Sequence, residues 1–443
     1  MRSEISKNSE RIIALQLQAT MSFLPVATQC VETAATIFGL GREESLKISL
    51  ATEEIFSYLS SNVCQGEIID INCVNGLSYI RVEFRFPVSA INMGALNIAA
   101  PVTCASEDDM TQMGLAIASH SVDRLNIVAE RQNRICLTIE KDKNYPQAPE
   151  AAISPVDSTG ALTVSVPDIE GVKRYVTCVA QGPADPLRPP FFNYPGQVAD
   201  MVTAGDCQIL TAVDAKGECA GGVLFRFLTS RIIEMFGPHG FHDGREGEIA
   251  AMLLDACITN TARTKAIGLV SLTGLSVSSQ AQFELLGLIK HYATEGKAVE
   301  IQAFYRLLHE DPGCLVFTDE CLKDYLRQEY ARLFLAREIR DVRNQGETKT
   351  GVSIFSTEVR REQSLANLRP LWPGADFDAN VKRHINFLKG ESIANIFFAL
   401  DLGVSWHASL SPVLLNNHFR PALIIPFAGL ADLVIFQYDR TES

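Results

Sequence analysis

At 443 residues the chain exceeds one ordinary domain, and about 150 residues per domain predicts two to four domains. Hydrophobic residues make up 47% and charged residues 21%, so each domain can bury a core and long disorder is not expected. The net charge of -13 argues against a generic nucleic-acid binder, because phosphate backbones require clustered Lys and Arg.

The cysteines and the N-terminus predict a compartment. Eleven cysteines are scattered from Cys30 to Cys321 and none forms a CxxC pair, which argues against a zinc ribbon or a thioredoxin-like site. The first residues, MRSEISKNSERIIALQLQ, are polar and lack the apolar core of a signal peptide. No run approaches the length that crosses a bilayer. We therefore expect free thiols in a reducing cytoplasm and no membrane partner.

Two composition breaks predict the domain boundaries. The segment KDKNYPQAPEAAISPVDSTG is rich in Pro, Ala, Ser and Asp without an apolar period, and RNQGETKTG is a second polar break. The stretch ECLKDYLRQEYARLFLAREIRDV between them has apolar residues at helical spacing and predicts one long helix. The predicted division is a domain over 1–142, a linker over 143–160, a domain over 161–310, a helical connector over 311–350 and a lobe over 351–443.

The first 140 residues alternate helix and strand patterns. Helices are predicted over 24–38, 43–61 and 110–122, and strands over 67–74 and 78–86 with a turn at Asn75-Gly76. A hairpin over 124–130 and 134–140 closes the segment. This order predicts a two-layer α/β sandwich with a mixed sheet and helices on one face.

Two strings in this region resemble the histidine-kinase-like ATPase fold, and within it the bacterial anti-sigma factor serine kinases. SLKISLATEEIFSYLSSNV resembles the helix that carries the E-x-x-x-N box of that family. MGLAIASHSVDRLNIVAERQNRICLTIEK resembles its Gly-rich helix start and closing hairpin. The resemblance covers most of residues 8–140 and implies a site for Mg-ATP.

The residues that the resemblance assigns to this site are largely replaced. Glu53 matches the family's general base, but the position of the Mg²⁺-binding Asn falls on Ser57, a shorter and poorer ligand. Phe84 lies near the position of the adenine-reading Asp, and the phosphate-cradling glycines are reduced to Gly114. Backbone amides approach a phosphate closely only where side chains are absent. We therefore expect a retained scaffold around a degenerate nucleotide site.

Residues 161–310 carry a second set of patterns. A strand pattern, LTVSVPDI, precedes a helix-rich segment, and the strands CQILTAVDA and ECAGGVLFRFL are joined by Lys216-Gly217. REGEIAAMLLDACITNTARTKAIGLVSLTG then predicts a loop, a helix and a strand. This order resembles the GNAT acyltransferase fold, which implies that acyl-CoA lies between two strands that splay apart. SSQAQFELLGLIKHY resembles the last helix of that family and the turn after it.

The GNAT resemblance also implies a loop that binds the CoA pyrophosphate on backbone amides at a helix N-terminus. The matching loop, FHDGREGEIAA, keeps Gly244, Arg245 and Gly247 but not the family spacing, and Glu246 and Glu248 bring negative charge to the phosphate position. The position of the usual catalytic Tyr falls on Phe283, which has no proton to donate. Acetyl-CoA or CoA is the implied cofactor of a degenerate site.

The last part, 351–443, predicts an α/β lobe. Helices are expected over 377–389 and 411–417, and strands over 392–400 and 422–427, with ADLVIFQY as an edge strand. The lobe resembles an extra C-terminal lobe of some GNAT-like proteins that also carry an N-terminal domain of the anti-sigma-kinase type. The tandem arrangement, rather than any single motif, carries this resemblance.

One further cluster contains side chains that can ligate a metal. GPHGFHDG contains His239, His242 and Asp243, a spacing that can gather a metal ion on a loop. The alternative is a Gly-rich turn whose histidines hydrogen-bond within the fold, and no distant fourth ligand is evident. The second interpretation is favoured, so no metal site is predicted.

Together these patterns predict a mixed α/β, multidomain bacterial regulatory protein in the cytoplasm. It would bind a partner protein of the signalling or sigma-regulatory type, or a small acyl or nucleotide ligand, with little or no catalysis. One alternative is an active acyl-CoA-dependent N-acyltransferase that the N-terminal domain regulates. A second is an ATP-dependent serine kinase and anti-sigma factor. The sequence names no catalytic residue, and the oligomeric state stays open.

Overall fold

The chain forms two compact units, and each is built from two separate segments. In the computed structural model the first unit is Met1–Asn144 with Gln345–Phe398, and the second is Tyr145–Asn344 with Ala399–Ser443. The structure describes residues 12–63, 66–87, 96–99, 114–130, 134–149, 160–182, 188–242, 244–292, 298–343 and 351–440. The predicted domain bounds stay predictions.

The helices and strands follow in chain order. The first segment holds β1 Ile12–Gln18, α1 Leu24–Ile37, α2 Arg42–Tyr58, β2 Ile68–Asn75, β3 Tyr79–Pro87, α3 Gly114–Ser121, β4 Arg124–Glu130 and β5 Arg134–Asp142. The next holds β6 Thr163–Ser165, α4 Ile169–Gln181, α5 Pro195–Ala204, β7 Gln208–Val213, β8 Cys219–Phe227, β9 Ile232–Gly240, α6 Glu246–Thr261, β10 Gly268–Ser271, α7 Val277–Gln280, β11 Glu284–Tyr292, β12 Ala298–Leu307, β13 Cys314–Thr318, α8 Glu320–Arg332 and β14 Arg337–Asp341. The last holds β15 Ile354–Arg360, β16 Leu365–Trp372, α9 Phe377–Gly390, β17 Asn395–Asp401, α10 Ser405–Ala408, α11 Ser411–Asn416, β18 Phe419–Ile425 and β19 Leu433–Tyr438.

The sheet of the first unit has the order β1-β2-β3-β5-β4, and all its neighbouring strands are antiparallel. The prediction of a mixed sheet was therefore wrong. β3 and β4 do run in the same direction, but β5 lies between them and is antiparallel to both. The predicted turn at Asn75-Gly76 is confirmed, because the Gly76 amide donates to the Tyr79 carbonyl at 2.9 Å.

Strand β3 shows how the sequence divides the faces of this sheet. Its side chains alternate with period two, so that Val82, Phe84 and Phe86 are fully buried while Arg81 and Glu83 lie on the other face. The buried face packs against α1, α2 and α3 in one core. Each large apolar side chain that is fully buried there contributes about 1.5–3 kcal/mol.

Buried hydrogen bonds join the two segments of the first unit. The Asn97 amide donates to the Ser353 carbonyl at 2.8 Å, and its oxygen accepts the Phe355 amide at 3.0 Å. Asn380 on α9 also donates to the Ser353 carbonyl, at 3.0 Å. Asn97 is only 2% exposed, and a buried amide must keep such partners, so these contacts fix where β15 begins.

The large sheet of the second unit has seven strands in the order β11-β12-β10-β9-β8-β7-β6. Neighbouring residues of β8 face opposite sides: Val223 packs with Ile249 of α6, and Leu224 packs with Tyr175 of α4. Helix α6 therefore covers one face of the sheet, and α4 with α5 covers the other. The predicted hairpin at Lys216-Gly217 is confirmed as the turn between β7 and β8.

The predicted long helix over 320–342 is only half correct. Helix α8 ends at Arg332, and Phe334 adopts a left-handed backbone with φ of 54°. Residues 337–341 then form β14, which pairs in parallel with β13. Their sequence, REIRD, has good helix formers, so pairing with β13 overrides local propensity here.

Residues 145–149 of the predicted linker pack within the second unit. Tyr145 donates its hydroxyl proton to Asp200 on α5, and its ring lies against Gly196. The Ala148 amide donates to the Asn193 carbonyl at 2.8 Å. Most of the remaining linker, 150–159, lies outside the described residues.

Most of the C-terminal elements agree with the prediction in kind and place, but the strand in ADLVIFQY, β19, lies between β17 and β18, so the prediction of an edge strand there was wrong. The helices expected over 377–389 and 411–417 are α9 and α11, and the strands expected over 392–400 and 422–427 are β17 and β18. β15 and β16 pair antiparallel, β16 and β17 pair in parallel, and β18 and β19 pair antiparallel. Among the helices that the structure describes, none is long and apolar enough to cross a bilayer.

Candidate functional site

Two strands of the second unit separate near the middle of its sheet. β9 and β10 pair in parallel over three positions, ending with Val270 opposite Glu234. β9 continues for six more residues to Gly240, paired with β8 alone among the described strands, while β10 ends at Ser271 beside β12. The two strands thus lose their shared hydrogen bonds beyond Glu234, which is the splayed arrangement expected for this unit.

The loop after β9 leads directly into the N-terminus of α6. Gly240 must be glycine, because a Cβ there would lie 2.9 Å from the Glu246 Cα. Gly244 has a φ of +83°, a conformation that glycine adopts without steric cost. Gly247 lies in the first turn of α6, where added atoms would meet open space. Asp243, which lies between His242 and Gly244 in the sequence, is outside the described residues.

The chain's own carboxylates satisfy the polar groups of this loop. The Gly244 amide donates to Glu246 Oε1 at 3.1 Å. Arg245 donates to both carboxylate oxygens of Glu248, at 2.8 and 2.9 Å, and to the Gly160 carbonyl at 3.0 Å. Hydrogen bonding to Arg245, ahead of its charge, lowers the pKa of Glu248. Two acidic side chains therefore stand in the first turn of α6, where the helix dipole favours negative charge.

The predicted position of the proton donor is an apolar core residue. Phe283 is 9% exposed and packs in the core between the sheet and α6. The helix before it, α7, has only four residues, and β11 begins at the next residue, Glu284. The segment from Phe283 onwards is thus a strand rather than the predicted last helix, and Phe283 presents no ionisable group.

The histidine of β9 takes part in an aromatic cluster on the other face. His239 Nδ1 lies 3.0 Å from the Tyr175 hydroxyl, and the ring packs edge-on against Phe192. Burial lowers the pKa of His239 to about 4, so the imidazole is neutral at pH 7. Within the described part of the chain, no group of three or more His, Cys, Asp and Glu side chains is placed to hold a metal ion.

The helix of the predicted nucleotide site, α2, exposes the residue assigned as the base. Glu53 is exposed and Ser57 is partly buried on the same face. Its neighbour Glu54 is half-buried, and desolvation followed by the charge of Glu53 raises the pKa of Glu54. Four residues after Glu54 comes Tyr58, which is 1% exposed. Whichever Glu starts the box, the fourth residue after it is Ser or a buried Tyr, neither of which replaces an Asn carbonyl on Mg²⁺.

The other two predicted positions of this site are Phe84 and Gly114. Phe84 is fully buried in the middle of β3 and faces the helices. Gly114 is the first residue of α3. The segments before it, 88–95 and 100–113, lie outside the described residues, so the structure leaves the assignment of Gly114 as a prediction.

Sequence reasoning missed Glu54 as the carboxylate that faces inward on α2. The spacing along the helix contains this signal. Ala51 lies three residues before Glu54 and Tyr58 lies four residues after it, so they share its face, and both are buried. Glu53 instead neighbours the exposed Leu50 at i-3. The sequence-based choice relied on the box spacing alone.

Comparisons with known proteins give a partial similarity of fold. No model of a protein family matches the chain, and no curated protein matches it. An aminoglycoside 6'-N-acetyltransferase from Enterococcus faecium is 10% identical, with 34% of this chain and 99% of that chain covered and a TM-score of 0.27. An N-acetyltransferase from Staphylococcus aureus Mu50 is 15% identical over 34% and 100% of the two chains, also with a TM-score of 0.27.

A GNAT superfamily phosphinothricin acetyltransferase from Sinorhizobium meliloti, solved in complex with AcCoA, gives similar values. It is 15% identical, with 34% of this chain and 89% of that chain covered and a TM-score of 0.27. Similarity at this level assigns neither a substrate nor an activity to the chain.

Proposed function

We propose that this chain is a bacterial regulatory protein that binds a partner or a small ligand and has little or no acyltransferase turnover. The observation that carries the proposal is that carboxylates of the protein itself already hydrogen-bond the polar groups at the N-terminus of α6. The Gly244 amide already donates to Glu246, and Arg245 is already paired with Glu248. A pyrophosphate would have to displace both carboxylates from the groups that it needs.

Electrostatics makes this displacement costly. A pyrophosphate would bring further negative charge next to these two carboxylates, and like charges at short range repel. Glu246 and Glu248 place two negative charges within one helical turn, whereas phosphate sites at helix N-termini depend on free amides and a positive field. Both side chains lie near solvent, so salt weakens the repulsion without removing it.

The absence of a proton donor at Phe283 points the same way. Acyl transfer from a thioester needs a group that protonates the leaving thiolate, and a phenyl ring cannot do so. On this proposal the scaffold has kept its binding surfaces while its chemistry has been lost. The anti-sigma-kinase-like part would serve the same role, with a protein partner of the signalling type and a location in the cytoplasm.

One specific observation favours the alternative of an active N-acyltransferase. β9 and β10 still separate beyond Glu234, and this opening is where the resemblance implies that acyl-CoA lies. If this alternative holds, acetyl-CoA binds despite the two carboxylates, and a residue other than Phe283 protonates the thiolate. The serine-kinase alternative would require Mg-ATP to bind near Glu53 and Ser57.

Thermal unfolding of the purified chain with acetyl-CoA, CoA, Mg-ATP and ADP separates these functions. A ligand of the folded state at about 100 times its Kd adds about 2.7 kcal/mol. We expect no shift with any of the four, and no release of CoA thiol from acetyl-CoA in the presence of amine acceptors. A shift with the CoA compounds together with thiol release would overturn the proposal. A shift with Mg-ATP alone would favour the kinase alternative.

A charge-removal variant tests whether the carboxylates are the cause. Replacing Glu246→Gln and Glu248→Gln together removes both negative charges while keeping hydrogen-bonding side chains. We expect this variant to gain a CoA-dependent shift of several degrees. Glu320→Gln is the matched control, because Glu320 also lies in the first turn of a helix, α8, away from the loop. A response equal to that of the control would show that Glu246 and Glu248 do not exclude CoA.

A further inference from the structure

A polar cleft opens in the first unit where the strands β4 and β15 lie beside each other. Its volume is about 410 Å³, within the range of small-molecule sites. Side chains from five strands line it: Arg81, Arg124, Leu125, Asn126, Thr138, Glu140, Ser356, Glu358, Asn367 and Arg369. Sequence reasoning did not find this cleft, because it assigned neither β15 nor β16.

The floor of the cleft is a row of cross-strand ion pairs. Arg81, Glu140 and Arg124 lie directly opposite one another on β3, β5 and β4. Glu140 accepts from Arg81 at 2.6 Å and from Arg124 at 2.5 Å. Arg124 also binds both carboxylate oxygens of Asp142, at 2.8 and 2.5 Å, and the Tyr79 ring lies beside both guanidinium groups. These two arginines are held by acids of their own sheet.

The opposite wall is built from β15 and β16. Ser356 lies across from Arg369, and Glu358 lies across from Asn367. The Ser356 hydroxyl donates to Asn126 Oδ1 at 2.7 Å, which links this wall to β4. Glu358 pairs with Arg360 at 2.7 Å. Although burial opposes it, the charge and hydrogen bond of Arg360 lower the pKa of Glu358, so this carboxylate is ionised and compensated.

Arg369 differs from the other guanidinium groups of the cleft. Among the described residues its side chain forms no ion pair at contact distance and no hydrogen bond, although its charge contributes to the lowered pKa of Glu358, and it is exposed. Both lining carboxylates are already paired, Glu140 with two arginines and Glu358 with Arg360. An incoming cation would therefore meet only carboxylates that arginines already contact, whereas an incoming anion would meet a guanidinium that no carboxylate of the described residues contacts.

We propose that this cleft binds a small organic molecule through an oxyanion group, a carboxylate or a phosphate, which pairs with Arg369. The planar guanidinium presents two parallel N–H groups that match either oxyanion. The amide side chains of Asn126 and Asn367 and the Thr138 hydroxyl supply further neutral polar groups around it. The site is independent of the loop at α6 and of the function proposed for it.

Isothermal titration calorimetry of the full chain at constant ionic strength tests the proposal, with succinate and inorganic phosphate as separate probes. We expect one of the two to bind. Arg369→Gln should weaken that probe at least tenfold, which is about 1.4 kcal/mol. Asn126→Asp should weaken it as well, because it adds a negative charge while its carboxylate still accepts the Ser356 hydrogen bond. Arg42→Gln, on an exposed residue at the start of α2, is the matched control and should bind as the wild type does.

The two probes distinguish the sources of the oxyanion. Binding of succinate alone would assign a carboxylate ligand, and binding of phosphate alone would assign a phosphorylated one. The proposal is wrong if neither probe binds the wild-type chain, or if Arg369→Gln and Asn126→Asp bind as tightly as the Arg42→Gln control. Circular dichroism of each variant would show that the fold is retained, which is expected because both substituted side chains border solvent.

Discussion

Each unit holds a cluster of arginine–carboxylate ion pairs, and the two clusters differ in their exposure to solvent. In the second unit the side chain of Arg337 is fully buried and pairs with Asp432 at 2.6 Å and Asp311 at 2.8 Å, with Phe427 against its face. In the first unit Arg124 keeps 33% of its side chain exposed beside Glu140. The Arg337 cluster therefore lies away from solvent, whereas the Arg124 cluster borders an open cleft.

If the cleft binds an anion as proposed, burial rather than the presence of arginine separates a structural cluster from a binding surface. A buried pair gains little net stability, since desolvation offsets its attraction, but removing one partner leaves a charge without compensation. A bordering pair is screened by water and contributes less. Only a guanidinium at such a border can exchange its solvent for a ligand, as proposed for Arg369.

The largest expected effect is on the buried cluster. Arg337→Met should lower the free energy of unfolding of the second unit by about 3–5 kcal/mol, because Asp432 and Asp311 would stay buried without a cation. The chain has two tryptophans, Trp372 in the first unit and Trp406 in the second. Urea unfolding followed by fluorescence in a Trp372→Phe background therefore reports the second unit.

The matched control for this variant lies three residues along the same strand. Arg340 is 57% exposed and, within the described part of the chain, its ion-pair partner is the exposed Glu338, so Arg340→Met should change the free energy by less than about 0.5 kcal/mol. Equal urea midpoints for Arg337→Met and Arg340→Met would contradict the comparison, because the buried ion pair would then contribute no more to stability than a surface ion pair.

A smaller effect is expected at the cleft. Arg124→Met should lower the free energy of unfolding of the first unit by about 1–2 kcal/mol, because hydrogen bonds to charged groups are lost at a site that water still reaches. Trp372 reports this unit in a Trp406→Phe background. Arg369→Met, in the same cleft, should leave stability unchanged. If it destabilised the unit as much as Arg124→Met, Arg369 would be a structural residue and the proposed anion site would lose its support.

The smallest effect is a dependence on pH. Burial raises the pKa of Glu140, but the charges of Arg124 and Arg81 outweigh it and hold the pKa below its ordinary value. The unfolded chain therefore binds this proton first, and the stability that Glu140 provides is present above about pH 4.5 and lost as the pH falls through its folded pKa. Glu140→Gln should be less stable than the wild type at pH 7, and the difference should shrink below pH 4. A constant difference from pH 7 to pH 3 would contradict this assignment.

Local patterns predicted much of the fold. The helices α1 and α2 and the hairpin of β4 and β5 were found from apolar spacing and turn residues, because their buried faces are continuous in sequence. β1 was not assigned, although Ile13, Leu15 and Leu17 recur with period two and lie on the face that packs against the core. β9 was missed because GPHG at its end is typical of a turn, although here it continues a paired strand.

The candidate sites were less accessible to sequence reasoning. The sequence alone shows the acidic residues at the start of α6. The structure adds that Glu246 accepts a hydrogen bond from the Gly244 amide and that Glu248 pairs with Arg245. The cleft could not be foreseen, because Arg81 and Arg369 are 288 positions apart. They line the same cleft only because strands of two separate sheets lie beside each other. No local signal distinguishes Arg369 from the other arginines until its partners are known.

The division of each unit between two segments has a consequence for synthesis. The first unit needs Gln345–Phe398 as well as Met1–Asn144, so the ribosome makes the whole middle of the second unit before the first can close. At 5–20 residues per second this interval lasts roughly 10–50 s. During that time the Asn97 amide and the edge of β4 have no β15 to meet, so the nascent first unit must wait with these groups exposed to water or to a chaperone.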